Sequence, residues 1–203
     1  MKSIITILLF AASLVSTTVQ AQMITEYTKT PGINTRFSAI VPVSDDPSTN
    51  LYVAGNYGPY LFIGEFEQSG VLVWSKKINV SDTSMVINRM IRDSNGHLVL
   101  AGTSINAGIG RAFVLKFNTV SQKVAWYKKS TASSYFWDIT ELGAGGDYLI
   151  GGSETGSGTG NQSDDITYLV GRYTGDLTLH QNLNKNVNEN VSALLFNEET
   201  SSI

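Results

Sequence analysis

The 203-residue chain contains no cysteine. That excludes thiol catalysis, disulfides, thiolate metal sites and a lipoprotein anchor, so a folded domain must rest on its core and its β-ladders. Charge is also scarce, at 15% of residues, with 14 basic against 17 acidic. The basic residues are scattered, and only Lys76-Lys77 and Lys128-Lys129 pair up. No stripe exists for a phosphate backbone, which argues against nucleic acid as a partner. The two histidines, His97 and His180, have no second histidine or carboxylate at ligand spacing, and the H-E-x-x-H arrangement is missing. Gly152-Ser153-Glu154 approaches a nucleophile elbow but lacks its last glycine, and Gly156–Gly160 lacks the Lys-Ser/Thr that completes a phosphate loop. A flexible connection over Ser153–Ile166 is the expectation there.

Long apolar runs are missing too, except at the N-terminus. Lys2 precedes an apolar stretch from Ile4 to Val15, followed by Val19-Gln20-Ala21. A basic start, a short apolar core and small residues at the cleavage position predict a signal peptide over 1–21, with Gln22 as the mature start. The stretch is shorter than the roughly 20 residues a membrane helix needs. Removing it leaves 13 basic and 17 acidic residues, a formal charge of −4. The expected location is outside the cell or on its surface, or the periplasm of a bacterium. Sequons at Asn79, Asn161 and Asn190 matter only in a eukaryotic host.

What the chain has in abundance is a repeat. Short apolar strands separated by glycine-bearing turns recur with a period of about 50 residues. Four strand types, A to D, follow one another. The B strands LYVAG (51–55), HLVLAG (97–102) and YLIGG (148–152) end on Gly55, Gly102 and Gly152. The C strands end on Phe66, Phe117 and Tyr173, and the D strands carry Trp74, Trp126 and, in the same slot, His180. The A strands are Phe37–Val43, Val86–Ile91, Trp137–Leu142 and Val191–Phe196. In Ala112–Asn118, Phe113, Leu115 and Phe117 share one face and Val114 and Lys116 the other, the two-residue period of a strand. Turns are marked by Ser69-Gly70, Asn95-Gly96 and Thr174-Gly175-Asp176. Trp74 and Trp126, as equivalent outer-strand residues, are each expected to pack on their own sheet.

Four strands in a unit of this length are what a propeller blade requires, and a β-sandwich would not show a unit-level repeat. The fold class expected is all-β, a β-propeller-type array of four-stranded antiparallel blades. The repeats Gly96–Gly102, Phe113–Phe117 and Trp126–Lys128, with Leu51–Gly55, Leu61–Phe66 and Trp74–Lys76 before them, resemble the secreted β-propeller repeats of bacterial and protist surface proteins. The third repeat departs from that pattern, with Arg172 in the lysine slot and His180 in the tryptophan slot. The resemblance implies an architecture and is silent on activity, because its motifs are core and turn positions. Blades are expected at about 36–78, 84–130 and 136–183, with a fourth beginning at about 190–203. Each interval of 13 residues, from Trp74 to Ile87, Trp126 to Ile139 and His180 to Ala193, joins a D slot to an inner-strand slot. Stepping back 13 from Ile40 reaches Tyr27, so Met23–Lys29 reads as a D strand of an incomplete ring, prone to self-association through unpaired edges.

Candidate binding residues are aromatic. Tyr135 and Trp137 lie at a D–A connection, and Tyr57 and Tyr60 flank a B–C connection. With Arg111 they form the expected ligand site, since ring faces take a sugar or a peptide. Carboxylates fall in loops at Asp45-Asp46, at Asp93 and at Asp164-Asp165. They read as solvated turn residues, with Asp164 and Asp165 as candidate ligands of a weak calcium site and no other cofactor implied. The functional expectation is an exported, non-enzymatic module for binding or adhesion, its ligand a glycan or a protein. Two alternatives stand beside it: a glycan hydrolase or lyase using loop carboxylates such as Asp82, Asp138 and Asp165, and a purely structural array.

Overall fold

The computed structural model describes residues 35–46, 48–58, 60–79, 84–155, 163–182 and 194. These residues form strands and turns, and no helix occurs among them. Short runs rich in branched and aromatic side chains favour the pleated surface of a sheet, and glycines take the left-handed angles of the turns, as at Gly70 (φ 86°) and Gly96 (φ 78°).

The chain divides into two compact units, 1–86 and 87–203, with the boundary inside one strand. In the first, β1 (Thr35–Pro42), β2 (Leu51–Tyr57), β3 (Tyr60–Phe66) and β4 (Leu72–Ile78) form one antiparallel meander. Phe37, Val53, Tyr57, Phe62 and Phe66 make its core, with Leu72 against them. The Phe37 ring meets Phe62 at 5.6 Å and Phe66 at 6.3 Å, both edge to face, the arrangement aromatic quadrupoles prefer.

The second unit holds two more meanders. One is β5 (Ser84–Arg92), β6 (Leu98–Asn106), β7 (Ile109–Asn118) and β8 (Lys123–Lys129). The other is β9 (Ser134–Glu141), β10 (Tyr148–Thr155), β11 (Ser163–Val170) and β12 (Leu177–Asn182). Val99, Ala101, Ala112, Val114 and Trp126 of the first sheet pack on Phe136, Ile139, Tyr148, Ile150, Ile166 and Val170 of the second. Each large apolar side chain buried there contributes about 1.5–3 kcal/mol. The architecture is therefore all-β, three four-stranded antiparallel sheets in sequence order.

The recurring glycine has a mechanical cause. In the β1–β2 ladder Gly55 pairs with Phe37, and the register then skips Ser38. In the β9–β10 ladder Gly152 pairs with Phe136, and the register skips Trp137. A Cβ on Gly55 would fall 1.9 Å from the Arg36 carbonyl oxygen, and one on Gly152 2.1 Å from that of Tyr135. The bulge pushes a backbone oxygen into the space of a side chain, and only glycine leaves that space open. The B strands do not end there: β2 runs on to Tyr57, β6 to Asn106 and β10 to Thr155.

Three slot assignments need correction. Hydrogen bonds from Val43 N to Asn50 O, Asp93 N to His97 O and Leu142 N to Asp147 O fix the first hairpin of each sheet. Three residues before these donors stand Ile40, Met90 and Ile139, so Met90 rather than Ile87 is the inner-strand counterpart, and the 13-residue interval does not join equivalent positions. Trp74 pairs with Glu65, and Trp126 with Lys116. In the third sheet the residues in those two slots are Thr178 and Leu169; His180 is the residue skipped at a bulge, and Arg172 lies beyond β11 in a turn. The expectations for Met23–Lys29, for the glycine tract 156–160, for Asp82 and for residues 190–203 apart from Leu194 lie outside the described residues.

Candidate functional site

The second unit contains a buried polar cluster and an exposed aromatic pair. The cluster starts at the β5–β6 turn. Asp93 Oδ1 accepts the backbone N–H groups of Asn95 (3.0 Å) and His97 (2.9 Å), which closes the Asn95-Gly96 turn. This aims Oδ2 inward, where it accepts from Tyr148 OH at 2.7 Å and lies 2.8 Å from Lys116 Nζ. Lys116 also donates to Tyr148 OH at 2.9 Å. Arg172 Nη2 stands 3.7 Å from the same Asp93 oxygen and donates to Ser94 Oγ at 3.1 Å, while Nη1 pairs with Glu141. Ser94 completes the set, its N–H and hydroxyl both donating to Glu141 at 2.7 Å.

Two cations therefore meet two anions, and burial makes each dependent on the others. Burial pushes the Asp93 carboxyl up, but the bonds from Lys116, Tyr148 and the His97 N–H outweigh it and hold the pKa below its ordinary value. Glu141 behaves alike, its burial outweighed by Arg172 and Ser94. Burial, with Asp93 beside it, pushes the Tyr148 hydroxyl far up. Nearly all of this lies out of reach of a substrate, and its geometric effect is to tie the β5–β8 sheet to the β9–β12 sheet. Trp126 adds to that tie. Its Nε1 donates to Arg172 O at 3.1 Å, its ring meets Tyr148 at 6.3 Å, and a Cβ on Gly175 would lie 2.6 Å from it. Trp126 thus packs across sheets, whereas Trp74 contacts Tyr52 and Glu65 of its own sheet.

The aromatic pair sits on β9, not in a connection. The rings of Tyr135 and Trp137 are parallel within 9° at 5.8 Å, and the two residues are 38% and 37% exposed. Both alternate with buried Phe136 along β9, which puts them on one face, and Tyr135 covers Gly110 of β7, where a Cβ would come within 2.8 Å of its hydroxyl. The next residue, Asp138, is buried. Its Oδ1 accepts from Ile139 N (2.9 Å) and faces Arg89 Nε (3.2 Å), and its Oδ2 accepts from Leu194 N (2.8 Å).

The other expected site residues are placed differently. Tyr57 and Tyr60 pair across the β2–β3 hairpin, Tyr57 buried beneath Lys77 Nζ at 3.9 Å from its ring and Tyr60 exposed. Arg111 is exposed, but as the strand neighbour of Gly110 its side chain leaves the opposite face of β7 from the one Tyr135 covers. Asp164 and Asp165 belong to β11, opposite Glu154 and Ser153, rather than to a loop; their side chains lie outside the described set. Asp93 is not a solvated turn carboxylate but the centre of the buried cluster. The cluster's one signal in the sequence is Lys116, a charge embedded in the apolar run Phe113–Phe117, which calls for a buried counter-charge. No protein-family model matches the chain, and no curated protein matches it.

Proposed function

We propose that the chain is an exported, non-enzymatic binding module built as a β-propeller-type array, with Tyr135 and Trp137 as its ligand platform. Three consecutive four-stranded meanders support the propeller reading, as does the glycine-and-bulge device shared by the first and third sheets. The apolar N-terminal segment ahead of Val19-Gln20-Ala21 supports export. The observation that carries the binding reading is the pair of parallel, exposed rings on one face of β9. A large aromatic surface left partly in water gains contact energy from the C–H face of a sugar or from a peptide side chain. Asp138, the strand neighbour of Trp137, has both oxygens engaged by Ile139 N, Arg89 and Leu194 N, an arrangement for holding the backbone rather than for proton transfer.

Glycan-array binding run beside a hydrolysis screen tests this reading. Binding that is lost in Trp137→Ala, with no turnover of the bound glycan, is expected. Turnover that disappears in Asp138→Asn would replace the binding module with an enzyme.

A further inference from the structure

We infer that Gly110 of β7 sets the pose of the Tyr135 ring, which makes the platform a site built from two sheets; this rests on the binding reading above and adds a positioning residue to it. Gly110 lies inside β7, paired with Ile105. Glycine weakens a strand interior unless a turn, a bulge or a close approach calls for it. No turn does so here, because Gly110 is outside the left-handed region that Gly108, two residues earlier, adopts at φ 80°. The β6–β7 ladder runs without a register shift, so no bulge does either. The close approach remains. A Cβ at Gly110 would stand 2.8 Å from the Tyr135 hydroxyl oxygen, 2.9 Å from Cζ and 3.1 Å from Cε1. The outer half of the phenol ring thus lies against the Gly110 backbone, and the β5–β8 sheet provides its floor.

The backbone that carries the rings is pinned, which leaves the Tyr135 side chain as the part that gives way. The hydroxyl of buried Ser134 accepts from Ala112 N at 3.2 Å and donates to Ala132 O at 3.2 Å. Asn88 of β5 donates to Phe136 O at 2.6 Å, between the two ring-bearing residues. The Tyr135 ring, by contrast, is partly exposed and has solvent to turn into. A methyl group at position 110 would therefore displace the ring rather than unfold the sheet, and the parallel alignment with Trp137 would be lost. The other two sheets do not repeat the pair. Counted back from Ile40 and Met90 as from Ile139, the Tyr135 and Trp137 slots hold Arg36 and Ser38 in the first sheet and Val86 and Asn88 in the second. A packing device of the repeat would recur with it, whereas a ligand site need occur only once. Among the described residues the platform is single, and one ligand per chain follows.

The test uses the full chain and isothermal titration with chitohexaose, cellohexaose, xylohexaose and the glycans that score on the array. NMR of the Trp137 ring protons, which the Tyr135 ring current displaces, runs beside it. The unmodified chain is expected to bind at least one of these sugars at one site per chain. Gly110→Ala should weaken that binding about three- to tenfold, the contribution of one aligned ring. It should also move the Trp137 signals in the direction in which Tyr135→Ala moves them. Its melting temperature should hold or rise slightly, since alanine suits a strand better than glycine. Gly110→Ala added to Tyr135→Ala should cost no further affinity, because the new methyl group then meets no ring. That comparison also decides the matter if Gly110→Ala alone is too unstable to titrate. Gly110→Ala binding like the unmodified chain with the Trp137 signals unmoved, or a further loss in the double variant, overturns the role of Gly110, while loss of binding in Trp137→Ala keeps the platform. Two or more sites per chain overturn its being single. If no sugar binds, or binding survives Trp137→Ala, the binding reading falls and the role of Gly110 falls with it.

Discussion

Lys116 Nζ lies 2.8 Å from Asp93 Oδ2, with the two side chains only 6% and 0% exposed. Neither charge can be removed without stranding the other. Lys116→Met should lower stability by about 3–5 kcal/mol in urea unfolding, the range for breaking a buried pair. Lys128→Met offers the contrast, because its pair with Asp176 is exposed and should contribute nothing measurable. Equal effects of the two substitutions would show that Lys116 is not isolated from water.

Stability should fall at both ends of the pH scale, for opposite reasons. Asp93 and Glu141 have pKa values held below their ordinary 3.8 and 4.5. The stability they supply is complete above those ordinary values and is lost as the pH falls through the lower folded ones. Tyr168 is pushed from 10.0 up to about 12 by burial and by its bond to Glu154. Its share is complete below 10 and is lost as the pH rises through about 12. Melting temperatures from pH 2 to 12 check both limbs. Tyr148, pushed further up, adds to the same limb, so Tyr168→Phe should make the alkaline limb shallower without abolishing it and leave the acid limb in place.

Two glycine substitutions separate steric need from conformational need. Gly152→Ala places a Cβ 2.1 Å from a backbone oxygen and should cost about 3 kcal/mol, the upper end of the overpacking range. Gly96→Ala meets nothing within 4 Å and pays only for its φ of 78°, roughly 1–2 kcal/mol. Chemical unfolding of both variants orders the two costs, and the reverse order would refute the bulge as the reason for the repeated glycine.

The two tryptophans of the repeat should not behave alike. Trp126 is buried between two sheets, and Trp126→Ala should cost about 3–5 kcal/mol. Trp74 is half-buried on its own sheet, so Trp74→Ala should cost clearly less. Matching losses would mean that Trp126 is no more enclosed than Trp74.

The sequence made the strands legible because period-two runs and glycine turns are local properties, written within ten residues of each other. Equivalence between repeats was harder to read. His180 and Arg172 filled the expected slots by count, but β11 ends at Val170, which leaves Arg172 in the turn beyond it, and His180 is the residue that a bulge in the β11–β12 ladder skips; neither a strand end nor a bulge is visible in a spacing. The same holds for Met90, whose place is fixed by the Asp93–His97 turn bond rather than by distance from Trp74. The buried cluster was the least legible part, since Ser94 and Arg172 are 78 residues apart and meet only after two sheets have packed. The aromatic pair was legible as composition and as an i, i+2 spacing; the parallel stacking of its rings appears only in the folded sheet.

The most direct test of the account follows the indole N–H signals of the three tryptophans by nitrogen-15 NMR while a panel of oligosaccharides, those that score on the glycan array first, is titrated in turn. The account predicts that the Trp137 signal moves in a saturable manner with at least one of them, while Trp126, whose indole N–H is held by the Arg172 carbonyl, and Trp74, bonded to Glu65, stay in place. A titration that shifts Trp74 or Trp126 and leaves Trp137 fixed, or that moves none of the three, would contradict it.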